Sequence, residues 1–190
     1  MQWGDTSVKH KGFTLVELMI TLIIAAILLA VAAPGFRSLI ERNRLQSAGS
    51  NLYASLMLAR SEALKRNQPI GVCKGTATAS AASCTTSGTD GTWEGGWVVH
   101  LDPNNPSTLD PNDVLATRLA LKAGDTLRVV KTSSLSTKLN GLTYRPDGGA
   151  SEDASFILCN SDADTTTRRL ITVELTGRPR LSQSAGNCTP

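Results

Sequence analysis

A chain of 190 residues has room for one membrane segment and one globular domain of about 120 to 130 residues, near the common domain size. Its 41% hydrophobic and only 4% aromatic content suits a small core of Val, Leu, Ile and Ala and points to no enzyme class. The net charge of +3, from 19 basic and 16 acidic side chains, is too mild to name a partner, so only the distribution of charge along the chain carries information.

In chain order, Lys9, His10 and Lys11 stand just ahead of an apolar run over 15–33 that a single acid, Glu17, interrupts. At about 1.5 Å per residue the run spans close to the ~30 Å hydrocarbon core, which predicts a transmembrane helix over 13–33. Positive charge before it argues for a cytoplasmic N-terminus, although Arg37, Arg42 and Arg44 follow it; the remainder then faces the periplasm or the cell exterior. Ala30, Ala32 and Ala33 imitate a secretory cleavage site. Glu17 opposes that reading: an acid near the start of a membrane helix costs about 2.5 to 3.5 kcal/mol to insert and needs a partner. An amino terminus freed close by is the obvious one.

Beyond Pro34 a helical pattern continues to Arg66, with Leu45, Ala48, Leu52, Leu56, Ala59 and Ala63 three or four positions apart on one stripe. Arg42, Arg44, Gln46, Ser47, Asn51, Arg60, Glu62 and Lys65 fall on the expected solvent side. The helix is expected over 14–66, with 34–67 as its amphipathic continuation, and Asn67-Gln68-Pro69 stops it. Strands are expected at 69–74, 96–101, 114–121, 127–131, 142–145, 156–160 and 170–175, separated by Gly, Asn, Asp and Ser clusters. The segments 75–91 and 102–113 read as loose. One long helix followed by many strands predicts an α+β domain over 68–190, an antiparallel sheet wrapped on the helix.

Cys73, Cys84, Cys159 and Cys188 form an even set without C-x-x-C or a His at metal-ligand spacing, so no metal is expected. In an oxidising compartment they favour disulfides. Of three possible pairings, Cys73 with Cys84 closes a short loop and Cys159 with Cys188 anchors the C-terminal tail. The Asp102-Pro-Asn-Asn and Asp110-Pro-Asn-Asp113 stretches offer oxygen ligands for calcium but match no EF-hand loop, and Asx-Pro turns explain them equally. His100, expected on the outer face of a strand, is the single His besides His10. With no nucleophile elbow, phosphate loop or supported acid pair, the chain reads as a non-enzyme with no cofactor.

The stretch Lys11-Gly12-Phe13-Thr14-Leu15-Val16-Glu17-Leu18 resembles the type IV prepilin motif. The resemblance implies a leader, 1–12, that prepilin peptidase removes between Gly12 and Phe13, N-methylation of Phe13, an assembly role for Glu17 and a helix kink at Pro34. It also implies the type IV pilin fold. Leu58-Ala59-Arg60-Ser61-Glu62-Ala63, Gly95-Gly96-Trp97-Val98-Val99 and Leu175-Thr176-Gly177-Arg178-Pro179-Arg180 are similar to the GspH/FimT/FimU group of minor pilins and pseudopilins. The implied partners are prepilin peptidase, other major and minor pilins or pseudopilins, and the inner membrane. The implied location is a single-pass inner-membrane protein with a periplasmic domain, extracellular when assembled in a pilus. The N-terminal motif serves a type IV pilus and a type II secretion system alike.

Arg168, Arg169, Arg178 and Arg180 gather near the C-terminus, with no acid after Glu174. Guanidinium forks suit phosphate oxygens, and a few such contacts give weak, sequence-independent, salt-sensitive binding. Gly177 to Arg180 resembles the motif by which FimT-type minor pilins bind double-stranded DNA during natural transformation. Against this stands a plainer role: Arg178 and Arg180 alternating on an exposed edge strand discourage aggregation, and no aromatic residue lies nearby to stack bases.

Overall fold

The computed structural model describes residues 12–77, 82–85, 90–101, 109, 111–160, 168–184 and 188, with backbone alone at 31–34, 37, 38, 77, 111 and 184. One helix, α1 (Leu15–Arg66), begins where Thr14 caps it. The Glu17 N–H donates to Thr14 Oγ1 at 3.3 Å, a partner for a donor that a helix start leaves open, while the Thr14 carbonyl accepts the first intrahelical bond, from the Leu18 N–H at 3.2 Å. It ends on Lys65 and Arg66, cations suited to a helix C-terminus. Asn67 then adopts φ 53°, the left-handed cap that Asn tolerates, and Pro69 follows.

The chain divides into two compact units, with the boundary between Ile40 and Glu41. In the first, Leu15, Val16, Leu18, Ile20, Leu22 and Ile23 are all more than half exposed. Among the described residues no helix is long and apolar enough to cross a membrane. The expected span over 13–33 runs into 31–33, whose side chains lie outside the described residues.

The second unit carries the hydrophobic core. Leu45, Leu52, Leu56, Ala59 and Ala63 of α1 are buried, the stripe read from the sequence, with Ala48 packed at its margin. The strands are β1 (Ile70–Ala77), β2 (Ala82–Cys84), β3 (Trp97–His100), β4 (Val114–Arg118), β5 (Thr126–Lys131), β6 (Ser134–Lys138), β7 (Gly141–Tyr144), β8 (Ala154–Cys159), β9 (Arg168–Val173) and β10 (Pro179–Ser184). They form two antiparallel sheets. The first has the order β2-β1-β3-β4 with β7 also on β1, and the second runs β10-β9-β8-β5-β6. Trp93, ahead of β3 in the chain, is tied to the second sheet and the loop after β6: its N–H donates to the Leu127 carbonyl at 2.9 Å and its indole to the Leu139 carbonyl at 2.8 Å. Its ring meets Phe156 edge-on at 5.5 Å.

The structure corrects several expectations. There are two sheets, not one. The segment 75–91 is not wholly loose, because β1 extends to Ala77 and turns back into β2. β4 ends at Arg118, short of the expected 121. β6 and β10 carry little strand signal: β6 is a mostly exposed Ser/Thr-rich edge, and β10 opens with Pro179, tolerated at the first position of an edge strand. His100 shares with Val98 the side of β3 opposite Trp97 and Val99, as expected, yet it is only 2% exposed. The Cys73, Cys84 and Val98 cluster, with Val114 against it, covers that side of the sheet. Residues 102–108 and 110, including most of both Asx-Pro stretches, lie outside the described residues.

Candidate functional site

Gly12 and Phe13 precede the helix, and Phe13 is 80% exposed; the rest of the leader, 1–11, lies outside the described residues. Thr14 and Glu17 have the spacing of a capping box, and an acid in the first turn offsets the helix dipole. Glu17 thus has a local use as well as the one its motif implies. α1 continues through position 34, so Pro34 does not end it, although a proline offers no N–H to the carbonyl four residues earlier.

The four arginines near the C-terminus divide by face. Arg180 pairs with Thr172, and Ser184 with Arg168. Because side chains alternate along a strand, Arg168, Thr172 and Arg180 share one face, while Ile171, Val173 and Pro179 turn inward, where all three are buried. Arg178 and Arg180 are exposed and Arg168 is half-buried. At about 3.3 Å per residue, Arg168 and Arg180 stand roughly 13 Å apart along the ladder. Arg169 falls on the opposite, helix-facing side, where its Nη2 donates to Gln46 Oε1 at 3.4 Å. The sequence grouped all four; the register separates one.

The turn ahead of Arg178 has its own structural demands. Gly177 adopts φ 75°, and a Cβ there would lie 2.0 Å from the Gly148 carbonyl oxygen, so only glycine fits. Arg60 of α1, expected on the solvent side, donates from Nε to that same Gly148 carbonyl at 2.9 Å and from Nη2 to the Thr176 carbonyl at 3.4 Å. This clamp positions the arginine-bearing turn. No local sequence signal marked it, because its acceptors are backbone carbonyls 88 and 116 positions away.

Residues 48–177 match the family described as type II transport protein GspH, and residues 8–33 match the prokaryotic N-terminal methylation motif. The chain belongs to the GspH family. As a GspH-family protein it is a minor pilin or pseudopilin with the α+β type IV pilin fold. Among solved structures, the type IV minor pilin FimU of Pseudomonas aeruginosa aligns with TM-score 0.56 and 22% identity, covering 77% of this chain and 96% of that one. The minor pseudopilin EpsH from the Type 2 Secretion System of Vibrio cholerae aligns with TM-score 0.50 and 15% identity, covering 74% and 97%. At these identities the likeness speaks for the fold alone. No curated protein matches in sequence. The GspH match ends at Gly177, so Arg178 and Arg180 lie just beyond it.

In this GspH-family domain the cysteines pair as preferred from the sequence: Cys73 with Cys84, Cα atoms 5.6 Å apart, and Cys159 with Cys188, 5.9 Å apart. The second bond places Cys188 against Val130, Ile157 and Leu170, a small cluster on the outer face of the second sheet. Cys73, Cys84 and His100 bring possible ligand atoms within 4.8 Å of one another. The two sulfurs are bonded to each other, which removes both thiolates that a metal would need.

Proposed function

We propose that this GspH-family chain is a structural subunit that prepilin peptidase processes between Gly12 and Phe13 and methylates at Phe13. It is held in the inner membrane by the 13–33 helix, its domain in the periplasm. It then assembles with other major and minor pilins or pseudopilins into the tip or initiating complex of a type IV pilus. The observation that carries this reading is the exposed, apolar first part of α1 with one acid at its start. A helix apolar on all sides requires lipid or other helices around it. Glu17 would neutralise the Phe13 amino group of an adjacent subunit, removing the cost of two lone charges in a dry bundle.

Glu17→Gln keeps a residue suited to the capping box and deletes the charge. Processing should persist while filament incorporation in cells, read by immunoblot of sheared filaments, falls by about tenfold, a loss of about 1.4 kcal/mol. Normal incorporation of a processed Glu17→Gln chain would refute the role given to Glu17.

A second reading adds DNA binding for natural transformation. It is favoured by Arg168 and Arg180 sharing one face, by the exposed Arg178 just ahead of β10, and by the absence of any acid after Glu174. Arg178→Gln with Arg180→Gln should abolish duplex shifts at low salt, whereas Arg169→Gln, on the other face, should spare them. If the parent shifts no duplex, or the double variant binds as well as the parent, the chain is instead the GspH-like minor pseudopilin of a type II secretion system without DNA binding.

A further inference from the structure

We infer that the groove between α1 and β4 is a docking surface for an extended, acidic peptide segment of another protein, which adds to β4 as a further strand. The inference rests on the geometry of this domain and is independent of the processing and assembly proposed above.

Among the described residues β4 pairs with β3 alone and closes one side of the first sheet. An edge with unpaired N–H and C=O groups is a template for another strand unless charge, a bulge or a covering element blunts it. The bulge in the β3–β4 ladder lies at the far end, between Val99 and His100, which leaves the end near Arg118 regular. There the chain presents Leu119, 74% exposed, beside a groove of about 530 Å³.

The lining specifies the occupant. Ala48, Leu119 and Leu121 supply apolar walls. Trp97, 2% exposed, forms part of the floor of the groove. Arg44 is already engaged by Asp125. Arg118 and Lys122, both exposed, stand in no salt bridge among the described residues. The fitting partner is therefore an extended backbone bearing apolar side chains for the walls and carboxylates for the two cations. Duplex DNA suits the groove poorly, since it gains affinity from many phosphate contacts and finds here an apolar trough with two open cations.

The test uses the full chain in detergent and three dye-labelled probes: a synthetic peptide alternating Val and Glu, the same peptide with Lys for Glu, and a duplex oligonucleotide. The Glu peptide should bind and slow amide hydrogen exchange over 114–121. Arg118→Glu with Lys122→Glu, and separately Leu119→Asp, should each weaken it by about tenfold or more. All three positions are exposed, and an unchanged unfolding midpoint verifies that the variants fold. Equal binding of the Lys peptide, indifference to both variants, or protection of 114–121 by the oligonucleotide and not by the Glu peptide would overturn the inference.

Discussion

Arg44 of α1 grips Asp125, just ahead of β5, with both arms of its guanidinium: Nε donates to Oδ2 at 3.0 Å and Nη2 to Oδ1 at 2.7 Å, across 81 positions of sequence. The Asp125 side chain is 3% exposed and that of Arg44 25%, so the carboxylate is nearly dry while its partner keeps some water. Arg44→Met would leave a buried charge uncompensated. The expected loss is about 2 to 4 kcal/mol, toward the lower part of the range for a broken buried pair because Arg44 is partly solvated. Adding Asp125→Asn should recover a large share. Urea unfolding followed by tryptophan fluorescence measures both, and simple additivity of the two changes would contradict the pairing.

Gly71 on β1 lies beneath the imidazole of His100: a Cβ at position 71 would stand 2.4 Å from two of its ring atoms. Gly71→Ala should destabilise the domain by about 1 to 3 kcal/mol through overpacking. His100→Ala in the same chain removes the clash, so the double variant should be more stable than the sum of the single losses. Thermal melting of the four proteins decides it.

Lys74, buried in β1, reaches Asp90 Oδ1 at 2.5 Å. The hydrogen bond from Lys74, then those from Thr92, hold the Asp90 carboxyl far below the usual carboxylate range. A carboxyl depressed in the folded state stabilises it fully above its unfolded value of about 3.9 and loses that contribution as the pH falls below it. Parent and Asp90→Asn melting temperatures should therefore differ most above about pH 5 and converge in stronger acid. A constant gap down to about pH 2 would refute the assignment.

Much of this was legible in the sequence for a local reason. The apolar stripe from Leu45 to Ala63 repeats at the helical period, and Asn67 with Pro69 stops it through backbone geometry within a few residues. The short loops between Cys73 and Cys84, and the position of Cys188 in the tail, suggested the pairing observed. β6 and β10 leave little trace in the sequence because an edge strand buries little, so its residues need not alternate in polarity. For Arg44 and Arg60 the sequence points to solvent, because polarity marks the outer side of a helix but does not reveal a partner supplied by a distant loop.

Local sequence suffices for the start and stop of α1, for the choice of its buried face, and for the family motif at its N-terminus. Each of these rests on residues within a turn or two of one another. It takes the assembled sheets to part Arg169 from Arg168 and Arg180, to bury His100 beside a disulfide, and to leave β4 as an edge beside a groove. Those outcomes depend on strand register and sheet order. A shift of one residue in register turns every side chain of a strand to the other face, and the partner that sets it is distant in the chain.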